Sequence, residues 1–393
     1  MSIYFLGRLH FPFLSLLVIS LIPSLSLAAV KQPVPDGTSS HASMNFSLYH
    51  ATTPQEARYP GTYIFGVGTI TDKTANELQT LLKKNKIDGG ALYLNSMGGN
   101  YLGAMELGKL IREFDLDTYI GSYSGQKDGK ILTGKGICTK ACALAFLGGR
   151  YRFANSGDGY GLTRFAFPPS NEKINNADLA QRLTALTSVY VHDMGINDDF
   201  ISFLTLASAD TITFPDRKTM QELDIINEGG EKPVWQFKNI PDEPIYLMGA
   251  HNTLSGINKI LLTCTHSGQF VMQFMFNARG NSADYYKKKI YTLHTDTGDL
   301  SLADLKMTTP LVNNNTAAIS AIFSADQEEM ADQNTLARLN KVLTSNTLSL
   351  TFQNAKNDPP FMAIEPFDMT TSRDLLGSYL MGCGLYGNSA ETQ

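Results

Sequence analysis

The stretch ALYLNSMGGN, residues 91–100, decides how the rest of this chain is arranged. Its first five residues are mostly apolar and predict a buried strand, and Gly98 and Gly99 predict a tight turn before a helical pattern at residues 102–114. Glycines let backbone N–H groups face outward, and the N-terminus of a helix beside them attracts negative charge. The stretch therefore predicts an anion-attracting turn at the end of a strand.

A second stretch reads CTKACALAFLGG at residues 138–149 and predicts an apolar helix that stops at two glycines. Two short strands are predicted behind this helix, at residues 150–153 and 160–165. Between the two stretches, residues 121–136 read as a polar, glycine-rich loop, which carries Lys127, Lys130 and Lys135.

Outward from this region, the hydrophobic pattern alternates between the periods of strands and helices. Strands are predicted at residues 44–49, 62–70, 91–95 and 117–120. Helices are predicted at residues 74–86, 102–114 and 175–194, and two further helices begin near Asn197 and at a capping box in residues 219–222. Strands that alternate with helices are typical of a mainly parallel sheet. The fold class predicted for this part is therefore α/β.

The C-terminal part changes character, and two domains are expected because one core seldom holds a chain of 393 residues. Strands are predicted at residues 259–264, 269–277, 289–295 and 347–353, and helices at residues 333–343 and 370–382. This pattern indicates a smaller, β-rich α+β domain without a recognisable catalytic signature. The predicted division is a signal peptide at 1–28, a leader and first strand at 29–60, an α/β domain at 61–230 and the α+β domain at 231–393.

The first residues have the pattern of a secretory signal peptide. Arg8 precedes a mostly apolar run at residues 11–25, and the small residues at 26–29 offer a cleavage site. A membrane anchor is the alternative, but the run is shorter than the roughly 20 apolar residues of a spanning helix and contains Pro12 and Pro23. No later segment is apolar enough to span a membrane. The mature chain is therefore expected in the periplasm or outside the cell.

An exported chain with four cysteines predicts two disulfides, which can be connected in three ways. Cys138 and Cys142 are close enough in sequence for a local bridge, which leaves Cys264 with Cys383. Four residues apart on a regular helix, two cysteines are near the upper limit of bridging distance, so the local bridge requires Cys138 to lie outside the helix. A metal site is not expected, because no second close cysteine pair or histidine cluster accompanies them.

Composition narrows the class of partner. The formal net charge of −5 is mildly acidic and argues against nucleic acid. The sequence carries no adenine-binding signal, and no cofactor is expected. A peptide or a small carboxylate is the expected ligand, because the glycine turn and the nearby lysines favour negative charge.

Three segments together resemble the proteolytic subunit of Clp protease and its exported relatives, within the wider Clp/crotonase fold. They are residues 92–99, the helix that begins at Lys140 and the segment RYRFANS at residues 150–156. The resemblance covers residues 66–226 and implies a twisted superhelix of β-β-α units, often assembled into rings or trimers, so a homo-oligomer is one expected form. It also implies a serine peptidase with a Ser–His–Asp triad.

The catalytic positions of that family can be placed on this chain one by one. The glycine turn matches the oxyanion hole, and Ala141 matches the residue whose amide completes it. Lys140 stands where the family has its nucleophilic serine, Thr163 stands at the histidine position, and Asp210 matches the third member. A lysine amine is ordinarily protonated and forms no hydrolysable acyl ester, and threonine is no general base. With two of the three catalytic identities missing, the serine and the histidine, a pseudoenzyme is expected.

Three functional classes follow from these residues. The first is an exported, non-catalytic binding or scaffold module, with an anion pocket formed by the glycine turn, Lys140 and Ala141 under the lysine-bearing loop; a Lys140 side chain directed to solvent is the simpler alternative. The second is a periplasmic serine-type hydrolase with a rearranged active site, which uses Ser124 or Thr139 with Lys140. The third is a crotonase-like acyl-thioester enzyme, against which export argues because coenzyme A is cytosolic.

Overall fold

The computed structural model describes residues 43–52, 61–165, 176–239, 245–264, 269–278, 290–302, 306–307, 311–313, 316–324 and 332–382. The described part of the chain belongs to one compact unit. The predicted signal peptide at residues 1–28, the leader up to residue 42, and Cys383 lie outside the described residues. Helices and strands both contribute widely, which is compatible with the predicted α/β class.

The first part of the chain alternates strands with helices. In chain order its elements are β1 (Asn45–His50), β2 (Thr62–Val67), α1 (Thr74–Asn85), β3 (Gly90–Asn95), α2 (Tyr101–Glu113), β4 (Leu116–Ile120), β5 (Ser122–Lys127), β6 (Lys130–Gly134), β7 (Ile137–Thr139), α3 (Ala141–Phe146), β8 (Arg152–Phe153), β9 (Gly159–Gly161), α4 (Asn176–Asp193), α5 (Asp199–Leu206) and α6 (Arg217–Glu222). The main sheet has the order β1-β2-β3-β4-β8. β1 is antiparallel to β2, and the other neighbouring strands are parallel. The sheet is therefore mainly parallel, as predicted.

One face of this sheet forms a hydrophobic core with the helices. Leu92 of β3 is fully buried there, as are Leu107 and Ile111, which lie one turn apart on α2 and so share a face. α2 begins after Asn100, whose side chain accepts a hydrogen bond from the Gly103 N–H at 2.7 Å. This cap starts α2 immediately after the glycine turn.

The opposite face of the sheet carries a row of stacked aromatic rings. Phe65, Tyr93, Tyr119 and Phe153 occupy neighbouring strands in register, with successive ring centroids 4.9, 4.7 and 4.6 Å apart. β5 and β6 form a hairpin, and its Ile131 is buried in a cluster with the first two of these rings. Residues 121–136 therefore contain a hairpin and not only the predicted loop, because packing on the aromatic face stabilises strands in this polar sequence.

The C-terminal part folds into two antiparallel sheets. Its elements are β10 (Val234–Lys238), β11 (Tyr246–Thr253), β12 (Gly256–Cys264), β13 (Phe270–Asn277), β14 (Ile290–Thr295), β15 (Leu300–Ser301), β16 (Lys306–Met307), β17 (Leu311–Asn313), β18 (Thr316–Ser324), α7 (Gln333–Leu343), β19 (Thr347–Gln353), β20 (Phe361–Asp368) and α8 (Arg373–Gly382). One sheet has the order β10-β11-β12-β13-β18-β16, with β17 also paired to β18, and the other has the order β15-β14-β19-β20. Buried and half-buried residues alternate along β11 and β13, as expected of strands with one face in a core.

The sequence predicts part of this second region well. The bounds of α7 and β19 agree with the prediction, whereas β10, β11, β18 and β20 are not predicted. β18 reads TAAISAIFS and is rich in alanine, and β20 contains Pro366. Alanine and proline are both depleted in strands, so the sequence signal is weak although the strands form.

The buried apolar side chains form two main cores. The first extends from Met44 to Ile226, and the second from Trp235 to Leu380. The boundary predicted between residues 230 and 231 lies between these cores, and it stays a prediction because the described residues form one compact unit.

Two features of the helices bear on the sequence predictions. α6 is capped by Asp216, whose carboxylate accepts a hydrogen bond from the Thr219 N–H at 2.7 Å. The predicted capping box is therefore wrong, since Thr219 is already the third residue of the helix. Across the described residues, no helix combines the length and the apolar character that crossing a membrane requires.

Candidate functional site

The turn between β7 and α3 places Lys140 in a conformation that non-glycine residues seldom adopt. Its backbone angles are φ 56° and ψ −124°, and its N–H donates to the carbonyl of Gly161 at 2.9 Å. Strained positions of this kind cluster at functional sites, where the surrounding structure holds them in place. The Lys140 side chain is exposed, so its amine is accessible from solvent.

A disulfide links the two elements on either side of this turn. Cys138 lies in β7 and Cys142 lies in α3, with their Cα atoms 5.1 Å apart. The structure thus contains the predicted local bridge, and Cys138 lies outside the helix as that bridge requires. Cys264 is also disulfide-bonded, and its predicted partner, Cys383, lies outside the described residues.

The glycine turn packs directly against Lys140. Gly98 has a φ of 114°, and a Cβ at this position would lie 2.9 Å from the Cβ of Lys140 and 3.3 Å from the nitrogen of Ala141. Gly99 has a φ of 141°, and a Cβ there would lie 2.1 Å from the carbonyl oxygen of Ile70. Both positions therefore require glycine, for backbone conformation and for space. The four predicted anion-site residues lie together.

Hydrogen bonds from Ser96 set the position of this turn. Its N–H donates to the Ile137 carbonyl at 2.6 Å, and its carbonyl accepts from the Thr139 N–H at 3.1 Å. Its hydroxyl accepts a hydrogen bond from the Gly98 N–H at 3.2 Å. The glycine turn is thereby attached to β7, the strand that leads into Lys140.

Two buried tyrosines hold α3 behind Lys140. The Tyr160 hydroxyl donates to the Ala143 carbonyl at 3.3 Å, and the Tyr190 hydroxyl donates to the Leu144 carbonyl at 2.6 Å. Burial raises the pKa of both phenols above the ordinary value. Both hydroxyls therefore stay protonated at neutral pH and keep donating to the helix.

Thr163 and Asp210 lie on neighbouring segments beyond β9. The Arg164 N–H donates to the Ser208 carbonyl at 3.0 Å, which brings the two segments together. Thr163 is half-buried and Asp210 is exposed. Within the described part of the chain, no hydrogen bond or ion pair joins the side chains of Lys140, Thr163 and Asp210. The segments are thus adjacent, but these side chains do not form a triad.

Lys127 and Lys130 are not part of this site. They flank the tip of the β5–β6 hairpin. At this tip the Gly129 carbonyl accepts a hydrogen bond from the Thr52 N–H at 2.9 Å. Thr52 follows the end of β1, and that end of β1 pairs with the start of β2. The glycine turn follows the opposite end of β3, which runs parallel to β2. A strand as long as β2 spans roughly 20 Å. The expected convergence of these two lysines on Lys140 is therefore wrong.

The hydroxyls considered for a rearranged hydrolase are poorly placed. Thr139 is completely buried, and its Oγ1 has no hydrogen-bond partner. Ser124 is exposed on β5, in the hairpin rather than beside Lys140. A nucleophile must be reachable by substrate and within hydrogen-bond range of a base. Thr139 fails the first condition, and Ser124 forms no hydrogen bond to a histidine or lysine of the described segments.

A chain of hydroxyl, imidazole and carboxylate lies instead in the C-terminal part. Nδ1 of His294 is 2.7 Å from a carboxylate oxygen of Asp299, and Nε2 is 2.8 Å from Oγ1 of Thr351. His294 lies on β14 directly opposite Ser349 of β19, so Thr351 is its diagonal neighbour. The sequence analysis missed this group, because the arrangement depends on the register of two strands that are distant in sequence.

Comparison of the chain with protein-family models gives no match, and comparison with curated proteins gives none either. The function is therefore inferred from the geometry and the chemistry of the side chains. The most compact candidate site comprises the glycine turn, Lys140 and Ala141, with the segments of Thr163 and Asp210 beyond it.

Proposed function

We propose that this chain is an exported, non-catalytic relative of the Clp-type serine peptidases and that it binds a carboxylate, such as the C-terminus of a peptide, at Lys140. The observation that carries the proposal is an exposed lysine in a strained turn, at the position where the resemblance expects a nucleophilic serine. The proposal includes the Clp/crotonase superhelix, a periplasmic location and a homo-oligomer as its finer expectations.

The loss of hydrolysis follows from the substituted side chains. A serine peptidase needs a hydroxyl nucleophile and a base that takes its proton. Lys140 supplies a cation in place of the hydroxyl, and Thr163 supplies no base. The site therefore lacks the groups that perform the reaction.

The same side chains favour binding of an anion. An exposed ammonium group is a flexible point charge that pairs readily with a carboxylate, and Gly98 of the glycine turn lies against the Cβ of Lys140. α3 contains only six residues, so the amine of Lys140 is the principal attraction. Lys127 and Lys130 add nothing to this attraction, because they lie at the other end of the sheet.

Apolar side chains beside the turn favour a peptide over an inorganic anion. Met97 and Leu102 flank the glycine turn in sequence and are 46 % and 47 % exposed. Burial of such surface by a ligand contributes about 25 cal/mol for each Å² removed from water. A peptide with a free carboxylate and an apolar last residue is therefore the preferred ligand class.

The test compares one fluorescein-labelled peptide, ending in leucine, with its C-terminal amide. In anisotropy titrations at low salt, the carboxylate form is expected to bind more tightly. Lys140→Ala should remove that difference. An exposed ion pair contributes about 0.2–1 kcal/mol, so the expected preference is about 1.4-fold to fivefold.

Lys127→Ala is the matched control, since it removes an exposed lysine at the other end of the sheet and should leave the preference intact. Equal affinity for the acid and the amide would refute the proposed carboxylate site. If Lys140→Ala and Lys127→Ala lowered the preference for the carboxylate equally, the preference would come from general charge attraction. That result would also refute the proposed carboxylate site.

A second candidate function is a hydrolase whose active site is the His294 group. The hydrogen bonds have the order of a triad, because Asp299 can orient the ring while Nε2 takes the proton of Thr351. Thr351 is only 8 % exposed, which restricts the access of a substrate to its hydroxyl and makes this the weaker candidate. A fluorophosphonate probe should then label the protein, and Thr351→Val should abolish labelling while Thr347→Val, on the same strand, retains it. Failure of the wild-type protein to react would eliminate this candidate.

A further inference from the structure

Helix α4 carries exposed side chains in a line along one side. Leu179, Leu186 and Val189 are 39, 53 and 59 % exposed, and Arg182 and Asp193 are exposed as well. These five residues follow one another at intervals of three and four, so they lie on the same side of the helix. They form the α4 stripe.

The α4 stripe is separate from the side of the helix that packs on the protein. Tyr190, Val191 and Met194 are buried in the first core and hold the C-terminal half of α4 in place. The stripe lies roughly a quarter of a turn away from these residues around the helix axis. Single exposed apolar residues are common, whereas a regular line of them marks an interaction surface.

The spacing of the α4 stripe is that of residues that meet when two helices pair. Intervals of three and four alternate from Leu179 to Asp193, as they do at the contact positions of a coiled coil. The described residues of one chain leave these side chains exposed. A helix of another molecule therefore fits the stripe.

The order of charges along the α4 stripe is complementary to the same stripe in the opposite direction. From Arg182 to Asp193 it reads positive, apolar, apolar and negative. Two such helices side by side in opposite directions place Arg182 against Asp193 of the second copy, twice. A parallel pair would instead place like charges against each other, which costs energy.

Both charges are available for such contacts. Arg182 has an ion pair with Asp178 of its own helix at 3.0 Å, but its guanidinium carries five donors and can bind a second carboxylate. Within the described part of the chain, the Asp193 side chain forms no hydrogen bond or ion pair.

We propose that α4 pairs with α4 of a second copy of this chain, with the two helices antiparallel. Leu186 faces Val189 of the second copy at the centre, and Arg182 faces Asp193 of the second copy at both ends. The arrangement is twofold symmetric, so each contact occurs twice. The proposal follows from α4 alone and does not depend on carboxylate binding at Lys140.

The contact is short, so the dimer is expected to be weak. Residues 182–193 span roughly 17 Å of helix, and small interfaces are typical of transient complexes. Sedimentation velocity of the purified wild-type protein over a range of concentrations should therefore show a reversible equilibrium between monomer and dimer.

Charge exchange tests the orientation. Arg182→Asp and Asp193→Arg should each weaken association at least about fourfold, because each dimer loses two exposed ion pairs and gains two repulsions. An equimolar mixture of the two variants should associate about as tightly as the wild type. In the mixed dimer, the new carboxylate faces the new guanidinium at one end and the native pair remains at the other.

Lys218→Asp is the matched control for Arg182→Asp. Lys218 also pairs with a carboxylate four residues away on its own helix, Glu222, at 3.4 Å, and the change in net charge is the same. This variant should leave association unchanged. Leu186→Glu should weaken association at least about tenfold, because both copies of the leucine lose apolar contact and gain charge.

Three results would overturn the inference. They are a wild-type protein that stays monomeric at every concentration, a mixture of the two charge variants that associates no more tightly than each variant alone, and an equal effect of Lys218→Asp and Arg182→Asp. If a charge variant does not fold, as judged by thermal unfolding, Leu186→Glu decides, and unchanged association in that variant refutes the pairing.

Discussion

Single residues determine whether the Lys140 turn can form. Gly99 is the most restricted of them. Its φ is 141°, and the backbone oxygen of Ile70 lies only 2.1 Å from where a Cβ would be. Gly125 has a similar φ of 137° but nothing within 4 Å of that position. The two glycines therefore share the conformational requirement and differ in the steric one.

Gly99→Ala is expected to lower the free energy of unfolding by about 3 kcal/mol or more, since it adds a backbone clash to the strain of a positive φ. Gly125→Ala should cost only about 1–2 kcal/mol, from the strain alone. Urea denaturation of both variants measures the difference. An equal loss of stability would mean that the contact with Ile70 does not restrict the turn.

At this scale the sequence identifies residues better than conformations. Gly98, Gly99 and Lys140 are recognisable from the two stretches that contain them. The strained backbone of Lys140 is not, because it results from the Gly161 hydrogen bond and from packing on Gly98, both of which need the folded chain. The burial of His251, whose Nδ1 has no hydrogen-bond partner among the described residues, is equally invisible in sequence.

At the scale of elements, the unit of β7, the turn and α3 is closed by the bridge between Cys138 and Cys142. Ser96 attaches the glycine turn to β7, and Tyr160 and Tyr190 hold α3. The bridge is thus one of several constraints on the orientation of Lys140, and the only covalent one of these.

The double variant Cys138→Ser/Cys142→Ser is expected to lower the free energy of unfolding by about 2 kcal/mol, because a bridge over so short a loop removes little entropy from the unfolded chain. Chemical denaturation measures this loss. Substitution is preferable to a reductant, since Cys264 is disulfide-bonded as well. The variant should also lose selectivity for the peptide carboxylate, and unchanged stability with unchanged selectivity would show that the bridge does not constrain the turn.

Element prediction succeeds where the local pattern and the packing agree. α1 and α2 have apolar residues on one face. α1 begins at the predicted residue and ends one residue earlier than predicted, and α2 begins and ends one residue earlier than predicted. The β5–β6 hairpin is not predicted, because aromatic rings on other strands stabilise it and its own sequence is polar. The error about Lys127 and Lys130 has the same origin, since the direction of the hairpin sets their position.

At the scale of the whole molecule, His251, a buried side chain that lines a cleft between the two cores, couples protonation to stability. The pKa of His251 is lowered by burial in the folded protein, against an ordinary value of 6.5. Below that value the unfolded chain takes up a proton that the folded chain does not yet bind. Stability from this group is therefore complete above pH 6.5 and decreases as the pH falls through the folded pKa.

The melting temperature of the wild-type protein is accordingly expected to fall between pH 7.5 and pH 5.5, and the fall should be smaller for His251→Phe. Differential scanning calorimetry of both proteins in matched buffers isolates the contribution of this group from that of Glu231, Glu365 and Asp368. Parallel curves for the wild type and His251→Phe would contradict the assignment.

The cleft itself could not be predicted from the sequence. Arg112, Arg152, His251 and Asp368 come from distant parts of the chain, and they meet only because the two cores pack against each other. The sequence does indicate that two regions of different character exist, with a break near residue 230. How those regions face each other depends on tertiary contacts, such as those of Arg150, that no local pattern encodes.

The aromatic row of Phe65, Tyr93, Tyr119 and Phe153 affects how the main sheet assembles. A slip of one residue between any two of its strands would rotate a ring to the helical side and interrupt the stack. The row thereby discriminates against mispaired intermediates along four strands at once. Ring contacts at all three interfaces between β2, β3, β4 and β8 thus favour the native register, and a register error at one interface loses the ring contact there.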